Sequence, residues 1–201
     1  MAAGVTGRGG SGAPGRAAGG ELVRRAHAFA RALHAGHVRQ GQAGRPYLSH
    51  LEEVVSLLQD AGADDATLAA GWLHDAAENT LTAARRITAR DLADQFGWAV
   101  AAMVAEVTEN PRIPLPLRRD LRIRSARFAT PGAQMLTLAD LVSLLRGLLE
   151  DPPPDWEHAR KVEFLGWAGR VAAACRDASP RLAEAFDRAY REGLAGLARE
   201  A

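Results

Sequence analysis

Between residues 21 and 197 the large apolar side chains recur every three or four positions and show no sustained alternation with polar ones. That period marks one face of an α-helix. With β-branched residues sparse and no sustained two-residue alternation, the signals for a sheet are weak. The fold class is therefore all-α. Leu22, Ala26, Phe29, Ala30 and Leu33 share one stripe closed by Gly36, and Leu51, Val54, Val55, Leu57 and Leu58 form a second that ends near Gly62. The spacing predicts a third helix over 67–77 and further helices over 91–96, 98–107, 117–128, 135–149, 156–175 and 181–197. Pro111, Pro114 and Pro116 interrupt the chain before the sixth helix, and Pro152, Pro153 and Pro154 before the eighth, because proline removes a helix hydrogen bond. Residues 1–20 hold almost nothing large and apolar, so they are expected to form a disordered tail, with residues 21–201 as one domain.

The chemistry concentrates in a few places. His74 and Asp75 are adjacent, in the run Trp72-Leu73-His74-Asp75-Ala76-Ala77-Glu78-Asn79-Thr80. His50 follows Tyr47-Leu48-Ser49 at a helix start, and Asp140 lies inside Met135-Leu136-Thr137-Leu138-Ala139-Asp140-Leu141-Val142. A carboxylate on so apolar a helix is costly unless a cation meets it, and two imidazoles with two carboxylates are donors that hold a divalent metal. On a continuous helix His74 and Asp75 would stand about 100° apart, so one ion would sit between them. Glu78, four residues after His74, would share its face and stand ready to orient or deprotonate water. His27, His34 and His37 are read as structural or surface residues on the first amphipathic segment and its exit.

A net charge of +1 provides no bulk attraction for nucleic acid or an anionic membrane, so neither is expected as a partner. Cys175 is the sole cysteine, which excludes an intramolecular disulfide and points to the cytoplasm. Nearly all basic residues are Arg, with Lys161 the one lysine.

These motifs resemble the HD-domain metal-dependent phosphohydrolases, a family of helical bundles. More narrowly, the chain is similar to the small stand-alone alarmone hydrolases related to the RelA/SpoT hydrolase domain. Arg39 with Gly44-Arg45-Pro46-Tyr47-Leu48-Ser49-His50 carries the resemblance, as do the His74-Asp75 run, Phe96-Gly97, Val104-Ala105-Glu106-Val107-Thr108, Pro131-Gly132-Ala133, Leu138-Ala139-Asp140, and Trp156 with Arg160 and Trp167-Ala168. The resemblance implies hydrolysis of the 3′-pyrophosphate of ppGpp or pppGpp, usually with Mn²⁺. It implies that His50, His74, Asp75 and Asp140 hold the metal and that Glu78 acts as general base, with Asn79 beside it. Arg39, Arg119 and Arg160 fall where the family places basic residues for the nucleotide and its phosphates.

The chain also departs from the family. Asn79 stands in place of an acidic residue, Leu144 in place of an Asn that meets the ribose, and Phe164 in place of a Tyr near the nucleotide. Leu141 and Gln40 likewise replace polar and basic residues, and the segment 81–90 is longer than usual. The metal shell is kept while the substrate shell is altered. Two alternatives therefore stand beside the alarmone hydrolase: a phosphohydrolase of another nucleotide or phosphorylated cofactor, and a nucleotide-binding module without turnover.

Overall fold

A computed structural model describes residues 14–77 and 87–200, with side chains from Gly20 onward. Among them the chain forms nine α-helices: α1 (Pro14–Leu33), α2 (Leu48–Asp60), α3 (Asp65–Leu73), α4 (Ala89–Phe96), α5 (Trp98–Val107), α6 (Leu115–Ala126), α7 (Pro131–Glu150), α8 (His158–Ala173) and α9 (Pro180–Glu200). No strand occurs among the described residues, where β pairing is limited to the isolated bridge between Val38 and Pro46. The all-α reading holds.

Some boundaries differ from the sequence reading. α1 begins at Pro14, inside the stretch expected to be a tail. Proline suits a first helical position and Ala17 and Ala18 are strong helix formers, so the helix reaches back past the last large apolar residue. α3 stops at Leu73 rather than Ala77, and residues 74–77 form turns. α8 starts at His158 rather than Trp156, because Glu157 takes an extended conformation as its N-cap, and it ends at Ala173 rather than Cys175.

Local chemistry explains several junctions. Asp64 caps α3 by accepting a hydrogen bond from the Thr67 amide at 2.8 Å. Thr88 and Asp91 close a reciprocal capping box at the start of α4. Gly97 has φ of 90°, a conformation that side chains disfavour, and as a single residue it separates α4 from α5.

The core is one cluster, and α7 runs through it in contact with α2, α3, α5, α8 and α9. By length and apolarity α7 could cross a membrane, but Leu136, Leu138, Leu141 and Leu145 are sealed inside the bundle, so its hydrophobicity serves the core. Burying each such leucine contributes about 1.5–3 kcal/mol. Leu51, Val54 and Leu58 of α2 and Leu68, Ala69 and Leu73 of α3 fill the space beside it. α2 and α3 approach closely at Gly71, where an added Cβ would lie 2.8 Å from Leu58 Cδ1. That approach brings His50 and the end of α3 together.

Candidate metal centre and adjoining cleft

His50 occupies the first turn of α2, His74 caps the end of α3, Asp75 follows in the turn, and Asp140 lies midway along α7. Both imidazoles are buried. Their Nε2 atoms face each other at 3.4 Å, and Asp140 Oδ1 stands 3.3 Å from His50 Nε2 and 3.8 Å from His74 Nε2. One donor atom each from His50, His74 and Asp140 thus falls within 4.8 Å of the others. Asp75 stands beside this triad, its Oδ2 3.2 Å from His74 Nε2 and 3.7 Å from His50 Nε2. Tyr47 donates its hydroxyl to that same Asp75 oxygen.

Hydrogen bonding on the far side of each ring decides which nitrogen faces the cluster. The Gly71 carbonyl lies 2.8 Å from His74 Nδ1 and can only accept, so Nδ1 carries the proton. Ser143 Oγ donates to Glu53 Oε2 at 2.6 Å, and its one proton is thereby committed. At 2.9 Å from His50 Nδ1 it must accept, so His50 is also an Nδ1–H ring. Both Nε2 atoms are left to converge with a carboxylate. This donor set, with each imidazole oriented by an outer partner, fits a divalent cation.

The electrostatics agree. Burial alone would lower the His74 pKa, but Asp75, by charge and by hydrogen bond, together with Asp140 and the Gly71 carbonyl, raises it from 6.5 to about 10. Burial works the other way on Asp75, yet His74, His50 and the Tyr47 hydroxyl hold its carboxyl well below the usual range. The site therefore demands positive charge. Next to it, burial drops His34 to about 4 despite the pull of Asp75, and this neutral ring stacks on Tyr47 at 4.9 Å between centroids.

Two cavities open from this point. One, of about 240 Å³, is lined by the metal-site residues and by Glu109, Arg122, Leu144 and Phe164. The other, of about 420 Å³, is lined by Arg39, Arg45, Leu144, Leu148, Trp156 and Phe164 among others. Tyr47, His50, Glu109, Leu144 and Phe164 line both, so the two form one cleft with the metal centre at its inner end.

Of the residues singled out for substrate, Arg39, Leu144 and Phe164 do line this cleft. Arg39 is held by the Ser143 carbonyl at 3.1 Å and crosses α7 over Gly147, where a Cβ would lie 2.5 Å from its guanidinium. Arg119 and Arg160 are engaged elsewhere. Arg119 pairs with Glu163 at 2.7 Å and lies over Trp167, while Arg160 pairs with Asp155 at 3.0 Å and lies over Trp156. Glu78 and Asn79 lie outside the described residues, as does most of the lengthened segment after them.

Tyr47, Ser143, Glu53 and Glu109 were not singled out from sequence as site residues. Tyr47 had a signal, being part of the Pro-Tyr-x-x-His run. Burial raises the Glu109 pKa against the opposing pull of Arg118 and Arg122, which marks it as a carboxylate facing an enclosed space.

Comparison with known proteins agrees with this geometry. Residues 26–145, more than half of the chain, match the family model described as HD domain. The human guanosine-3′,5′-bis(diphosphate) 3′-pyrophosphohydrolase MESH1 is 31% identical over 166 residues, which is 82% of this chain and 90% of the human protein. A solved structure of a metazoan ortholog of SpoT that hydrolyzes ppGpp superposes with a TM-score of 0.76 at 25% identity, covering 85% of this chain and 94% of that one. The protein lmo0812 of Listeria monocytogenes shares the fold, with a TM-score of 0.59 at 23% identity over 75% of this chain and 98% of its own. The chain belongs to the HD-domain family, in the group of small proteins that includes MESH1.

Proposed function

We propose that this protein is a Mn²⁺-dependent hydrolase of the 3′-pyrophosphate of ppGpp and pppGpp. The observation that carries the reading is the convergence of His50, His74 and Asp140 at the inner end of a cleft whose outer part is lined by Arg39, Arg45 and apolar side chains. The MESH1 relatives and the SpoT ortholog support the choice of substrate.

His50, His74 and Asp140 would hold the ion, with Asp75, whose Oδ2 already lies beside both imidazoles, as a fourth ligand. A divalent ion held there supplies Lewis acidity toward a phosphoryl oxygen and toward water. Glu78 is the general base for the attacking water, and Asn79 beside it offers hydrogen bonds without charge. Arg39 is presented to the nucleotide end of the cleft, where a guanidinium suits phosphate or a planar base. Arg119 and Arg160 would reach substrate only after leaving Glu163 and Asp155. The buried, disulfide-free Cys175 suits a reducing cytoplasm.

The apolar wall made by Leu144 and Phe164 favours one second reading: a nucleotide that asks for fewer hydrogen bonds at its sugar than ppGpp. Incubation of ppGpp and pppGpp with the purified protein and Mn²⁺, with products resolved by anion exchange, separates the two. GDP or GTP with pyrophosphate is the expected outcome. Intact ppGpp beside a cleaved alternative nucleotide would select the second reading.

A further inference from the structure

Glu53 occupies α2 one turn after His50, and its carboxylate is three-quarters buried against α7 and the loop that carries Arg39. Each of its oxygens is engaged. Oε2 accepts from Ser143 Oγ at 2.6 Å and stands 3.7 Å from an Arg39 nitrogen, and Oε1 accepts from Arg146 at 2.9 Å. Ser143 in turn meets both ends of the cleft. Its hydroxyl accepts from His50 Nδ1, and its carbonyl accepts from Arg39.

We propose that Glu53 is the positioning residue of this cleft, fixing His50 through Ser143 at the metal end and Arg39 directly at the nucleotide end. The proposal rests on the metal-centre reading given above. A neutral serine hydroxyl can donate or accept. Without Glu53 it is free to donate to His50 Nδ1, which would move the imidazole proton to Nε2 and block the donor atom that faces Asp140. The carboxylate removes that freedom by claiming the serine proton. Burial opposes its ionisation, but Ser143, Arg146 and Arg39 together hold its pKa below the ordinary value, so it remains an acceptor. Its charge also offsets two guanidiniums, holding Arg39 against α7 where it lines the cleft.

The test is Mn²⁺ calorimetry and ppGpp kinetics on the parent, Glu53→Ala, Glu53→Gln, Ser143→Ala and Arg39→Ala proteins, each first shown to be folded by circular dichroism. Outer partners of a metal-binding histidine are worth about 10- to 100-fold in affinity. Glu53→Ala is expected to weaken Mn²⁺ binding by about that factor and to raise KM as well. Glu53→Gln still accepts from Ser143, so metal affinity returns to within about threefold of the parent while the raised KM stays. Ser143→Ala should affect mainly the metal, and Arg39→Ala mainly KM. Should Glu53→Ala fail to fold, the Gln and Ser143→Ala variants carry the test alone. Parent-like Mn²⁺ affinity in a folded Glu53→Ala, or in Ser143→Ala where Glu53→Ala does not fold, would overturn the proposal and leave the metal centre standing. A parent protein that binds no divalent metal would instead overturn the centre itself, and the role of Glu53 with it.

Discussion

His74 donates its Nδ1–H to the carbonyl of Gly71 at 2.8 Å, closing the last turn of α3 with a side chain while turning Nε2 toward His50. One contact therefore ends a helix and aims a metal donor. Replacing His74 by Ala removes both. Binding of Mn²⁺ is expected to weaken by more than about a hundredfold, exceeding the effect of losing an outer partner, with hydrolysis lost in parallel. Calorimetry on the folded variant checks this, and retained metal affinity would remove His74 from the centre.

The ionic state of the same residue predicts a pH dependence. Without added metal the folded-state pKa of His74 is raised from 6.5 to about 10, so its stabilising contribution is complete below about pH 6.5 and disappears as pH rises through 10. The lowered Asp75 adds a contribution present above about pH 4 and lost on acidification below it. In chelator the melting temperature should therefore be highest between about pH 4 and 6.5 and should fall toward pH 10, and a His74→Asn variant should lose that alkaline slope. Because a metal must displace the His74 proton, Mn²⁺ affinity should tighten about tenfold per pH unit over the same alkaline range. A melting temperature that climbs from pH 7 to 10 in chelator would contradict this assignment.

Gly71 lets α2 and α3 approach. A Cβ there would lie 2.8 Å from Leu58 Cδ1 and 3.1 Å from Val55 Cγ2, both on residues sealed in the core. Gly71→Ala should cost about 1–3 kcal/mol through overpacking, read as a lower melting temperature, and should weaken metal binding because His50 and His74 sit on the two helices forced apart. Unchanged stability would mean the core absorbs the methyl by a rotamer change alone.

Leu144 and Phe164 line both cavities of the cleft. Restoring polar groups there, as Leu144→Asn and Phe164→Tyr, is expected to lower KM for ppGpp by about three- to tenfold per added hydrogen bond, with kcat little changed. A KM that rises in both variants would argue that the apolar wall is matched to a different nucleotide.

Much of this architecture was legible in the sequence because helical spacing reports which face is buried. Leu51, Val54, Val55 and Leu58 announce α2 in this way, and Asp140 on an apolar helix announces a buried charge in need of a cation. The end of α3 was not legible. Ala76 and Ala77 continue the apolar pattern, and only the Gly71 carbonyl captured by the His74 ring shows that the helix has stopped. Nor could the sequence indicate the Glu53–Ser143 contact, which spans 90 residues and joins two types that usually read as a solvated face. Arg119 and Arg160 illustrate the converse. Their positions along the chain suit a phosphate, yet in the fold each is paired with a neighbouring carboxylate. Sequence position fixes which residue is available, while the local ion pairing decides where its charge is spent.

The most direct measurement is pyrophosphate release from ppGpp as Mn²⁺ is titrated into chelator-treated protein, with Asp140→Ala and Asn79→Asp run alongside. Turnover that follows metal occupancy in the parent, vanishes in Asp140→Ala and persists in Asn79→Asp is the predicted result. Hydrolysis that proceeds in chelator, or survives intact in Asp140→Ala, would contradict the central claim that His50, His74 and Asp140 form a catalytic metal centre.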